Sequence, residues 1–119
     1  MPINSEGVIS INDILAYGSW QDCKITIATD DDLSAAVDLG AVYDTLIVQI
    51  PTLTVSDLTL YAAETLTGTY YPVGNSITVV AGTGGFIDIW ELGGFQYIKI
   101  GTSAGQAANR TFRVRGVRS

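Results

Sequence analysis

The chain has 119 residues, a formal net charge of -6 and 47% hydrophobic residues, while charged residues make up only 15%. This length is typical of one domain, and low charge combined with high hydrophobicity excludes an intrinsically disordered chain. Because the chain has no histidine and one cysteine, its residues exclude a Ser-His-Asp triad, a Cys/His zinc site and a disulfide framework. The low charge also predicts that another molecule covers part of the surface.

Residues 1–20 differ in character from the rest of the chain. Residues 1–6 have neither the basic nor the apolar region of a signal peptide, and no apolar run approaches the ~20 residues that span a bilayer. We therefore expect a protein made in a cytoplasm, without a membrane partner. We also expect residues 1–20 to form a first strand or an arm that reaches a neighbouring molecule. The apolar residues of this arm are Val8, Ile9 and Ile11.

From residue 21 onward, apolar and polar residues alternate with a period of two, which predicts strands. The predicted strands are 22–29, 43–50, 58–63, 70–71, 76–81, 86–92, 95–100 and 111–117. Glycine-containing breaks recur about every 8–12 residues, as in antiparallel sandwiches, and Gly93-Gly94 predicts a tight hairpin. The predicted fold of residues 21–119 is an all-β, two-sheet, jelly-roll-like sandwich of roughly eight or nine strands, with an immunoglobulin-like Greek key as the alternative.

Cys23 alternates with Ile25 and Ile27, which predicts a buried thiol that packs as a small hydrophobe. A reactive thiolate needs a neighbouring base or a helix N-terminus, and the chain has no histidine to act as that base.

The densest group of charges is Asp30-Asp31-Asp32. Calcium takes six to eight oxygen ligands in a characteristic loop, and the spacing of such a loop is missing here. The sequence therefore predicts a solvated turn. No motif surrounds Glu64, Asp88 or Glu91, so these acids are expected at exposed outer positions. We predict no catalytic residue, no metal site and no cofactor.

Four aromatic residues are candidates for stacking on sugar rings: Trp20, Tyr70, Tyr71 and Trp90. The alternative, which we favour, is burial in the core or against a neighbouring protein, because Trp and Tyr are enriched at interfaces.

The charge is divided unevenly along the chain. All twelve acidic residues and a single basic one, Lys24, precede residue 99, while the last 21 residues carry five basic residues and no acid. Arg113 and Arg115 share one face of the last strand and Arg118 follows them. This basic stripe either pairs with acids of its own sheet or docks on an acidic patch of another copy or protein. Nucleic acid is the least favoured partner, because the whole chain is acidic.

Several segments together resemble small structural proteins encoded near the capsid genes of tailed bacteriophages. They are VDLG (37–40), YDTLIVQIP (43–51), GTYYP (68–72), FQYIKI (95–100) and RTFRVRG (110–116). The likeness covers roughly residues 22–118. It implies a β-sandwich virion component, such as a head decoration (cement) protein, a minor capsid protein or a fibre-base domain. It carries over no catalytic or binding residues.

The expected function is therefore that of a non-enzymatic virion structural protein that docks on capsid subunits. Its expected partners are the major capsid protein or other virion proteins, together with further copies of itself. The expected docking residues are Arg113, Arg115 and Arg118, with Val8, Ile9 and Ile11 of the arm. The alternative is a carbohydrate-binding or fibre-base adhesion module on the virion surface, which would use Trp20, Tyr70, Tyr71 and Trp90.

Overall fold

A computed structural model describes residues 17–74, 77–78 and 85–118. In this part of the chain there are seven strands and no helix, so no helix there is long and apolar enough to cross a membrane. The strands are β1 (Gln21–Ile25), β2 (Val37–Ile50), β3 (Asp57–Ala63), β4 (Tyr71–Pro72), β5 (Ile77–Thr78), β6 (Phe86–Thr102) and β7 (Arg110–Val117). They form one antiparallel sheet in the order β1-β7-β2-β6-β3-β4, and β5 pairs with β3. The all-β prediction is confirmed, but a division into two packed sheets is not.

The sheet curves around a single hydrophobic core. Cys23 of β1 and Leu60 of β3 belong to the same buried cluster, although three strands separate β1 from β3 in the sheet order β1-β7-β2-β6-β3. Between β1 and β2, Ala35 N donates to Lys24 O at 3.0 Å, and Ser34 N donates to Ile100 O at 2.9 Å. These two bonds link the outer edge of β1 to β6, so the sheet bends back towards its own edge.

β6 is one continuous strand of 17 residues, so the hairpin predicted at Gly93-Gly94 is wrong. Both sides of the glycine pair are hydrogen-bonded to the same partner strand, since Ile50 faces Phe86 and Asp38 faces Tyr97. The glycines do adopt positive φ, 77° and 90°. Such φ values serve a bulge within a strand as well as a tight turn, and the register of β2 against β6 shifts at this point.

β2 begins at Val37, six residues before the predicted start of the strand. The strand passes through Gly40, whose φ is 87°, and the Asp38 carboxylate fixes this bend. It accepts hydrogen bonds from Gln96 Nε2 at 2.9 Å and from Gly40 N at 2.8 Å. These two bonds, the Gln96 bond being the stronger influence, lower the pKa of Asp38.

Cys23 is fully buried, which confirms the prediction of a buried thiol that packs as a small hydrophobe. Burial raises the pKa of this thiol from 9.0 to about 11, partly offset by its hydrogen bond to Ser34 Oγ. The predicted strand 22–29 is shorter than expected, because β1 ends at Ile25 and Ile27 is exposed.

Part of the predicted organisation lies outside the described residues. This applies to the N-terminal arm with Val8, Ile9 and Ile11, and to all of the predicted strand 76–81 except Ile77–Thr78.

Candidate docking face

The first half of β6, residues 86–92, places apolar side chains on both of its faces. Trp90 and Leu92 point inward and are buried. Ile87 and Ile89 alternate with them and point outward, where they are 61% and 66% exposed. Exposure of two large β-branched side chains on one strand is the least expected feature of this sheet, because Val and Ile are favoured in strands where they pack against neighbours.

The register of β2 extends this apolar surface across the sheet. Ile47 of β2 lies directly opposite Ile89, and Gln49 lies opposite Ile87. Ile47 is partly buried and points outward, because Leu46 and Val48 on either side of it are in the core. We call the surface formed by Ile47, Ile87 and Ile89 the isoleucine face.

Arg115 borders the isoleucine face, since it pairs with Ile47 across β7 and β2. Its guanidinium carbon lies 5.1 Å from the centre of the Tyr17 ring and 5.7 Å from that of Trp20, and its Nε donates to Gly18 O at 2.8 Å. Cation–π contacts and a charge-assisted hydrogen bond therefore hold this arginine in one place. The result is an aromatic and cationic border on the β1 side of the face.

Arg113 lies opposite Gln49 on the same outward surface and forms a 3.5 Å ion pair with Asp22. Both partners are close to half exposed, so the pair contributes at most ~1 kcal/mol to stability. Arg118 lies elsewhere, with its Nε donating to Val42 O at 3.1 Å and its guanidinium over the Tyr43 ring. The structure thus gathers Arg113 and Arg115 at the isoleucine face but not Arg118, and each arginine has a partner in its own chain.

One edge of the first half of β6 is paired with β2, and no strand among the described residues pairs with its other edge. Asp88 lies on the inward side of this edge, opposite Val48, and accepts a hydrogen bond from Trp90 Nε1 at 2.9 Å. An inward-pointing charge is one way in which proteins protect an edge strand against uncontrolled pairing. At the start of β6, a cavity of about 400 Å³ is lined by Pro51, Phe86 and Arg113, among others.

The four proposed sugar-stacking aromatics do not form one platform. Trp90 is 4% exposed and Trp20 is stacked on Arg115 at the β1 end of the sheet. Tyr70 donates to Leu66 O at 2.7 Å and lies under Lys99. Tyr71 is 67% exposed and lines a cavity of about 590 Å³ together with Phe95.

Asp30, Asp31 and Asp32 are exposed, and one oxygen of each lies within 4.8 Å of the others. Asp32 N donates to Asp30 Oδ1 at 3.2 Å, which is the local hydrogen bond expected of a turn. The hydrogen bond between the two carboxyl groups lowers the pKa of Asp30 and raises that of Asp32. The solvated turn predicted from sequence accounts for this cluster.

Sequence reasoning did not single out Ile47, Ile87 or Ile89. In 86–92 each alternating set of residues is mostly apolar with one carboxylate, Asp88 or Glu91, so the pattern does not indicate which set faces the core. The available signal was the double-sided pattern itself, which is typical of strands covered on both faces.

Comparisons of the chain with protein-family models, with curated proteins and with solved structures find no match. The function is therefore inferred from the geometry of the site.

Proposed function

We propose that the protein is a non-enzymatic structural protein that docks on other subunits of an assembly through the isoleucine face. The exposure of Ile87 and Ile89, 61% and 66%, carries this proposal. Contiguous apolar surface with a polar border is the usual mark of a protein–protein contact. Polar residues Gln49, Arg113 and Arg115 border this surface.

The border supports the same conclusion. Trp and Arg are enriched among residues that carry most of the binding free energy at interfaces. Trp20 and Arg115 are already stacked together, so little side-chain freedom is lost when a partner covers them.

We further propose that the assembly is the virion of a tailed phage, in which the protein is a decoration, cement or minor capsid protein. The support is the resemblance of five segments to such proteins and a charged fraction of only 15%, which suits a chain covered by neighbours. The curved sheet is proposed to be a sandwich closed along the Ala35–Lys24 hydrogen bond.

The size of the expected effect follows from the buried area. Burying an isoleucine side chain fully is worth ~1.5–3 kcal/mol, and Ile87 and Ile89 have about two-thirds of that still to gain. Removing both side chains is therefore expected to cost about 2–4 kcal/mol of docking free energy, roughly 30- to 900-fold in affinity.

The test is the number of copies of this chain in purified particles. The double variant Ile87→Thr/Ile89→Thr keeps β-branched residues in the strand and is expected to lose most of its occupancy. The control is Val55→Thr, an equally exposed apolar residue between β2 and β3, which is expected to keep full occupancy. Full occupancy of a normally folded double variant would refute docking through this face.

A second candidate function, adhesion to glycans, is favoured by one observation. Tyr71 presents an exposed ring at a cavity of about 590 Å³ that Phe95 also lines. Exposed aromatic rings are the platforms on which sugars stack. On a glycan array, binding that Tyr71→Ala removes would support this function, and the absence of any binding by the unaltered protein would end it.

A further inference from the structure

We propose that the isoleucine face is occupied by a second copy of this chain, through the N-terminal segment of that copy, residues 1–16. This inference rests on the proposed docking function and names its partner. Three observations carry it: where the segment joins the sheet, its charge and apolar pattern, and its length.

The segment joins the sheet beyond the Glu91 end of the isoleucine face. Tyr17 bridges to Val117, and Gly18 N donates to Gly116 O at 2.8 Å. Because β1 runs antiparallel to β7, the chain that precedes Tyr17 reaches the sheet at its Val117 end, where Thr45 and Glu91 pair.

Ile89 and Ile87 lie two and four residues further into the sheet than Glu91, about 7 Å and about 13 Å along the strand. A segment that continues the direction of β1 backward past Tyr17 therefore leaves its own isoleucine face behind. To cover that face within the same chain, the segment would have to reverse its direction. A neighbouring copy needs no such reversal, and this difference favours the second copy.

The segment and the face are complementary in charge and in pattern. Residues 1–16 contain Glu6 and Asp13 and no lysine or arginine, whereas Arg113 and Arg115 border the isoleucine face. Ile9, Ile11 and Asp13 occupy alternate positions, so in an extended segment two isoleucines and one carboxylate point the same way. One side of the segment can then place its two isoleucines against Ile87 and Ile89 and its carboxylate next to an arginine.

The length of the segment is sufficient. Sixteen extended residues reach about 50 Å. The four strands β1, β7, β2 and β6 span about 14 Å between their outer axes, at ~4.8 Å per strand, so a neighbour's segment can cross this width and still have most of its length left to reach the face.

Cross-linking between two full-length variants tests the proposal. Ile11→Cys is mixed with Ile89→Cys that carries a mass tag at its C-terminus, and a short bismaleimide is added. Cys23 does not compete, because it is fully buried and its pKa is raised to about 11. We expect a cross-linked product with the summed mass of the two different chains. The control mixture replaces Ile89→Cys by Val55→Cys and is expected to give at least tenfold less product.

Two results would overturn the proposal. One is no excess of mixed product over the Val55→Cys control. The other is a cross-link that forms only within single chains when Ile11→Cys and Ile89→Cys are combined in one molecule, since the segment then covers its own face.

A second measurement separates this inference from the docking function. In sedimentation equilibrium, Ile9→Ser/Ile11→Ser is expected to weaken self-association at least tenfold, with an unchanged far-ultraviolet circular dichroism spectrum. Unchanged self-association would overturn the role of the segment. The particle occupancy of Ile87→Thr/Ile89→Thr would still decide the docking function independently, because that experiment does not alter residues 1–16.

Discussion

The two halves of β6 belong to one continuous strand but have different surroundings. In the second half, residues 95–102, β3 pairs along one edge, and the chain around Leu33 and Val37 pairs along the other. In the first half, residues 86–92, only the edge facing β2 is paired among the described residues.

The outward side chains differ in the same way. In the second half, Lys99 lies 4.7 Å from the centre of the Tyr70 ring. The Tyr61 ring approaches Gly101 so closely that an added Cβ would lie 2.8 Å from it. In the first half, Ile87 and Ile89 face solvent. The second half is covered by its own chain, whereas the outward side chains of the first half are exposed, and this is where we propose that a partner docks.

The largest expected effect is on the free energy of unfolding when an isoleucine in each half of β6 is replaced by alanine. Ile98 is fully buried, so Ile98→Ala is expected to lower the free energy of unfolding by ~2–5 kcal/mol. Ile89→Ala, at an exposed position, is expected to change it by no more than ~0.5 kcal/mol. Urea denaturation of both variants measures the difference. Similar losses would mean that Ile89 is packed within the free chain, and the contrast between the halves would fail.

Cys23, below the second half of β6, predicts a pH dependence. Its pKa is raised from 9.0 to about 11, so the folded state favours the neutral thiol. The stability that the folded state gains by keeping the Cys23 thiol neutral is fully present below pH 9. It is lost as the pH rises from 9 to 11, because the thiol of the unfolded chain ionises first. The loss at pH 11 amounts to about 2–3 kcal/mol. Unfolding measured at pH 8 and pH 11 is expected to show a smaller fall for Cys23→Ala than for the unaltered protein. An equal fall would show that the thiol contributes nothing to this pH dependence.

A smaller loss of stability is expected for a substitution at Gly101, because the Tyr61 ring packs closely against this glycine on the outward side of β6. A Cβ there would meet the Tyr61 ring at 2.8 Å and Asp32 O at 3.4 Å. Gly101→Ala is therefore expected to cost ~1–3 kcal/mol of stability. In a Tyr61→Ala background the same substitution is expected to cost less, and thermal unfolding of the four proteins measures this coupling. An unchanged cost would mean that the Tyr61 ring is not what limits the space.

Much of the sheet was predictable from the sequence. Alternation located β3 and β7 almost to the residue, because their inward sets, such as Phe112 and Val114, are apolar and their outward sets are polar. In the first half of β6 both alternating sets are mostly apolar, and the same rule does not indicate which set faces the core.

The local sequence pattern does not determine which of two structures a given motif adopts. A glycine pair with positive φ suits a turn or a bulge, and β2 decides the outcome at Gly93-Gly94 by pairing with both sides of it. The partners of the arginines are likewise distant in sequence. Arg115 lies 97 residues from the carbonyl of Gly18 that it contacts, and Arg118 lies 76 residues from that of Val42.

Labelling of position 89 in the free and the assembled protein tests the isoleucine face as the docking surface most directly. Ile89→Cys and Val55→Cys are each treated with a maleimide, in dilute free chain and in purified particles. Both thiols are expected to react fully in the free chain, because both positions are exposed. In particles, position 89 is expected to be protected while position 55 still reacts. Equally fast labelling of position 89 in particles would contradict docking through the isoleucine face.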